Sequence, residues 1–164
     1  EENEGKKLSE NNPAARQKNT FLLSLHWEVC MGQTTLSVEV ISAVAVLRAD
    51  MQNRFLTISD ISQLFVELEK AGIDVSDVAL RRVPGGVYSE DVEIWLAHFC
   101  DGDFGHFGPG RIIQLFDKGR RICREIVAEE HERKPELLMR ILGVLKFNEE
   151  EIRFVLGATD LPTA

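Results

Sequence analysis

Cysteine is scarce in this chain. Its three copies, Cys30, Cys100 and Cys123, are an odd number without repeated spacing. That argues against a disulfide framework and for a reducing, cytoplasmic setting. Long apolar runs are missing as well: none reaches the roughly 18 residues of a membrane span, so no membrane partner is expected. The start lacks the charged-then-apolar pattern of a secretory signal, although the absent initiator Met leaves room for a removed leader. Phosphate-cradling signatures are also absent. Pro84-Gly85-Gly86 is too short for such a loop, and neither G-x-x-x-x-G-K-S/T nor G-x-G-x-x-G occurs. Positive charge is thin, with a formal net charge of −8, which argues against coating nucleic acid through bulk charge.

What is present is enough apolar material for one core: 164 residues, 44% hydrophobic. Residues 1–19 are polar, mixed in charge and aperiodic, and read as a disordered tail. From Phe21 to Met31 the odd positions are all apolar, the period of a half-buried strand. A first helix is expected over about 37–54, its apolar stripe running Val40, Val44, Leu47, Met51 and on to Phe55. Thr57 and Asp60 form a capping-box start for a second helix whose inner residues are Ile61, Leu64, Phe65 and Leu68, and Gly72 stops it. Val75, Val78 and Ala79 suggest a short third helix ending before Pro84.

A fourth helix is expected from Ser89, its cap, with Val92, Trp95, Leu96 and Phe99 at i, i+3, i+4, i+7 spacing. This register makes Trp95 a core residue in preference to a partner-groove aromatic. A glycine-rich turn and the short strand Ile112–Leu115 follow, then a helix that Asp117 would cap, with Ile122, Cys123, Ile126 and Val127 inward. Two more helices are expected, one beginning at Pro135 and one opening on the Asn148-x-x-Glu151 pattern. The fold class is therefore mostly α with a small β component (α+β).

The order helix, helix, helix, glycine-containing hairpin, helix resembles a winged-helix domain. The segment Leu115-Phe116-Asp117-Lys118-Gly119-Arg120 is similar to the strand-into-helix junction of MarR- and PadR-type regulators, with Phe116 in place of their threonine cap. The resemblance covers roughly residues 36–128. It implies a winged-helix-like domain over 20–134 and a C-terminal helical extension over 135–164, and, by analogy, self-association through the terminal helices.

Charge along the chain divides the functional readings. Residues 57–103 hold ten acids against Lys70, Arg81 and Arg82, a balance of −7, whereas residues 104–134 hold seven bases against five acids, a balance of +2. The helix in the recognition position carries Glu90, Asp91 and Glu93 and no Lys or Arg. Acids there repel phosphates, so that face suits a basic protein partner. The alternative is a DNA-associated regulator touching backbone through the wing side, with Arg111, Lys118, Arg120, Arg121 and Arg124. Helical spacing puts Arg120 and Arg124 on one face, with Arg121 beside them. His98, Cys100, Asp101, Asp103 and His106 crowd together, but their spacing fits neither paired C-x-x-C sites nor a calcium loop. No metal, cofactor or catalytic residue is expected, and Cys123 reads as a small core hydrophobe.

Overall fold

The computed structural model describes residues 34–157, with side chains from Val38 on. The expected tail 1–19 and the period-two strand Phe21–Met31 lie outside the described residues. Within them the chain forms six helices and two separate two-stranded antiparallel sheets, a mostly α, α+β fold.

Helix α1 (Thr34–Met51) is the centre of the fold. It is packed by four other helices and a strand, so its apolar surface is not one stripe. Val38, Ile41, Val44 and Leu47 are buried, and so are Ala43, Ala45 and Val46 around them. A helix buried on nearly every side, its Glu39 and Ser42 included, is what a core element looks like. Its end is set by Asn53, which adopts φ 51. Arg54 N–H then reaches Ala49 O (2.8 Å) and Asn53 N–H reaches Asp50 O (3.2 Å), the paired bonds of a Schellman stop. Phe55 therefore lies beyond the helix and is 73% exposed, not on its apolar face as expected.

Helix α2 (Ile58–Lys70) opens with the expected capping box, in which Thr57 and Asp60 exchange side-chain-to-backbone bonds. Gly72, at φ 81, closes it, with Ile73 N–H on Leu68 O. The expected short third helix does not form. Val75 and Val78 are buried as proposed, but in a turn stabilised by Asp74, whose Oδ1 accepts from Ser76 N–H (3.0 Å) and Ser76 Oγ (2.6 Å). A hairpin follows, β1 (Arg81–Val83) and β2 (Gly86–Tyr88). Pro84 fixes one turn dihedral and Gly85 supplies φ 88, so the two residues reverse the chain directly. Ser59 Oγ holds this hairpin to α2 by donating to Val87 O (2.9 Å).

The expected fourth helix is therefore α3 (Glu90–Asp101), capped by Ser89, with Val92, Trp95, Leu96 and Phe99 all buried. Trp95 stacks on Phe99 with centroids 5.1 Å apart, which places it in the core. The second hairpin pairs β3 (Gly105–Gly108) with β4 (Ile112–Leu115). Ile113 N–H also donates to Leu56 O (3.0 Å), so the α1–α2 connection touches the outer edge of β4.

Helix α4 (Asp117–Arg133) begins differently from expectation. Phe116 occupies the cap position without a side-chain bond, and Asp117 is the first helical residue, bonded to Arg120 instead of to backbone N–H. Helices α5 (Pro135–Val144) and α6 (Glu149–Val155) complete the chain, and α6 carries the expected Asn148–Glu151 capping box. Leu138, Leu142, Phe147, Phe154 and Val155 join the same buried cluster as α1 and α3. The C-terminal extension is thus built into the core.

Candidate interaction surface

Two kinds of side chain compete for the surface around α3: acids on the helix itself and arginines from the hairpins beside it. Asp91 turns inward and accepts the Ala79 N–H (2.9 Å), which ties the loop before β1 to the start of α3. Glu93 pairs with Arg111 at the tip of the β3–β4 hairpin (2.8 Å), where Arg111 holds φ 59. Glu90 lies 3.8 Å from Arg81 of β1, with both side chains mostly exposed. Of the three expected partner-binding acids, then, only Glu90 faces solvent in full. Asp91 is spent on the fold.

The outward ridge of α3 was only partly visible in sequence. Helical spacing aligns Glu90 with Ile94, Ala97 and Asp101, all exposed. Ile94 is 51% exposed at the middle of this ridge. Its signal in the sequence is that it falls outside the Val92, Trp95, Leu96, Phe99 register, an apolar residue on the polar side.

The basic residues of the wing side do not form one patch. Arg120 and Arg124 do share a face of α4, but it turns toward α1 and α6 because both flank buried Cys123. Arg120 is gripped by Asp50 through Nε (2.7 Å) and Nη2 (3.2 Å) and by Asp117 through Nη1. The Asp50 hydrogen bond, with smaller contributions from that carboxylate's charge and from Asp117, raises the guanidinium's pKa further. Arg124 lies over the Phe154 ring (4.7 Å), its Nε and Nη2 buried without a hydrogen-bond partner. Lys118 lies over Phe104 and donates to Gly102 O (3.3 Å). Only Arg111, Lys118 and Arg121 of the five remain exposed.

These pairings differ in weight. The Asp50–Arg120 pair is bidentate and about four-fifths shielded, whereas Glu93–Arg111 is open to water. Replacing Asp50 by Asn is expected to cost about 1–2 kcal/mol, because the guanidinium loses a charged acceptor in partial burial. Glu93→Gln should cost less than about 1 kcal/mol, as exposed pairs do. Urea denaturation of the two variants checks the order.

At the C-terminal end of α1 a cleft of about 220 Å³ is lined by Leu56, Leu64 and Phe147, with Phe55, Arg48 and Gln52 at its sides. Its polar groups are already engaged. Arg48 Nη1 donates to Leu145 O (2.8 Å), Arg48 Nε pairs with Glu151 (3.1 Å), and Gln52 donates to the same carboxylate (3.0 Å). This cluster, linking α1 to α6, joins residues about a hundred positions apart, and local patterns did not announce it. Among the described residues no group of three His, Cys, Asp or Glu side chains is placed to hold a metal ion. Burial pushes the thiols of Cys100 and Cys123 upward, with Asp101 adding at the first and Glu39 and Asp50 at the second. Both are therefore poor nucleophiles near neutral pH.

Among the described residues no helix is long and apolar enough to cross a membrane. Compared with family models, curated proteins and solved structures, the chain matches none of them.

Proposed function

We propose that this protein is a non-catalytic interaction module on a winged-helix-like scaffold, in which the acidic outer face of α3 engages a basic protein partner. Two features support the scaffold reading. The elements run α1, α2, the β1–β2 hairpin, α3, the β3–β4 hairpin and α4, so the winged-helix order holds once the first hairpin is taken as an insertion, and the Ile113–Leu56 backbone bond brings the α1–α2 connection against β4. One observation carries the functional choice. Arg120 is paired within the molecule with Asp50 and Arg111 with Glu93, while α3 presents Ile94, Asp101 and Glu90, the last met only by a long, exposed contact from Arg81.

Nucleic acid on this surface would meet acids at its centre, and of the five wing-side bases would find Lys118 and Arg121 exposed and Arg111 already paired with Glu93. Duplex DNA titrated in low salt and followed by fluorescence anisotropy is expected to show no binding at micromolar protein. Salt-sensitive binding lost in an Arg111→Ala/Lys118→Ala/Arg121→Ala variant would instead establish the regulator reading. A pull-down with Glu90→Lys/Glu93→Lys is expected to lose basic partners that the unaltered protein retains. Unchanged capture removes α3 from the interface.

A further inference from the structure

The acidic α3 face has a counterpart of opposite charge on the same molecule. Residues 90–103 contain five acids and no Lys or Arg; residues 133–146 contain four bases and one acid, Glu136. Each stretch also exposes apolar side chains that the core does not use. Ile94 is 51% exposed on α3, and Leu137 and Met139 are 37% and 41% exposed on α5. Such exposure is unremarkable for a single residue. Here three of the five most exposed large hydrophobics among the described residues fall on an acidic helix, α3, and on a helix, α5, that is itself neutral but flanked by Arg133, Lys134 and Lys146.

We propose that the occupant of the α3 face is a second copy of this chain, docking through the exposed side of its α5. The proposal rests on the interaction-module reading and names its partner. Glu90 and Asp101 bracket Ile94 along a ridge roughly 16 Å long. Lys134, the residue before α5, and Arg140 bracket Leu137 over a shorter stretch of about 9 Å, both exposed, and the hydrogen bond Arg140 makes among the described residues is to the neutral Ala71 carbonyl. Among the described residues Arg140 makes no ion pair, although Glu136 lies one turn before it, and the existing Glu90–Arg81 contact is long and open to water. Met139, two residues on from Leu137, points to another side of α5, so Ile94 and Leu137 supply the attraction by leaving water, and the flanking charges select orientation and partner.

Because the two patches differ, each contact is head-to-tail. Two contacts formed at once about a two-fold axis close a dimer; one contact alone extends into rings or chains. This differs from self-association in which terminal helices meet each other.

The test is sedimentation velocity on the full chain over a range of protein and salt concentrations. The unaltered protein is expected to associate at low salt and to dissociate as salt rises. Glu90→Lys/Asp101→Lys, which alters α3, and Lys134→Glu/Arg140→Glu, which alters α5, should each weaken association by about tenfold or more. Mixing the two charge-swapped variants should restore it, since a basic α3 then meets an acidic α5; this rescue also separates loss of contact from loss of folding. Association unaffected by either swap, or two swaps that do not rescue one another, overturns the proposal. A protein that stays monomeric also overturns the second copy as occupant. That last result leaves the acidic face itself standing, because the pull-down tests that face against other proteins.

Discussion

Phe154→Ala is expected to destabilise the whole domain by about 3–5 kcal/mol, the range for removing a buried aromatic side chain. Phe154 is 1% exposed on α6, in the last helix of the chain. A seven-residue helix has no independent stability, so α6 exists because it packs on α1. Phe154 is its largest fully buried side chain, and the Arg124 guanidinium lies on its ring. Truncation leaves a cavity against α1 and removes the ring from a cation that has no hydrogen-bond partner at Nε and Nη2. Thermal unfolding followed by circular dichroism and by tryptophan fluorescence should report one shifted transition. Trp95 is on α3, so its signal moves with the others only if α6 belongs to the same cooperative unit. A separate early transition seen by circular dichroism alone would show that the C-terminal pair is an appendage. Phe154→Leu, which retains much of the volume, should lose markedly less.

The same contrast between local and distant causes explains which parts of this fold could be read from sequence. Thr57–Asp60 and Asn148–Glu151 are capping boxes whose partners are three residues apart, so the letters carry the geometry. Gly72 as a stop and the Val92, Trp95, Leu96, Phe99 face are equally local. The β1–β2 hairpin was not foreseen because each strand is three residues long, too short to show a period, while Val75 and Val78 imitate a helical turn. In α1 a single stripe was inferred where burial is nearly complete, since a helix whose apolar residues are spread around its axis shows no preferred face to a periodicity argument.

The candidate site was less legible than the fold. Arg120 and Arg124 look like a basic face until Asp50, seventy residues away in sequence, is brought against Arg120 and the Phe154 ring against Arg124. Glu93 and Arg111 cancel one another for the same reason. Net charge by segment marked α3 as acidic, yet which acids remain outward depended on Ala79 and on two hairpins whose positions are tertiary facts.

Gly119→Ala is expected to cost about 1–3 kcal/mol, although alanine is the better helix former and nothing polar is lost. The residue is in the first turn of α4, directly against the Phe104 carbonyl and the Phe99 ring. A Cβ built on Gly119 runs into the Phe104 carbonyl oxygen, a backbone atom that cannot rotate aside. That carbonyl is itself committed, since Phe116 N–H donates to it (3.1 Å) where β3 and β4 meet the helix. The extra methyl must therefore push α4 away from the β3–β4 hairpin or break the bond that aligns them. Either movement also strains Arg120, one residue on, whose bidentate grip on Asp50 fastens α4 to α1. The glycine of the Leu115–Arg120 segment is thus required by close approach of helix and strand, a reason independent of any ligand. Urea denaturation at neutral pH should show a lower midpoint for Gly119→Ala. Gly143→Ala is the control, because a Cβ there meets nothing within 4 Å and its helix should gain slightly from the substitution. Equal midpoints for Gly119→Ala and the unaltered protein would mean that α4 does not seat on the hairpin as described.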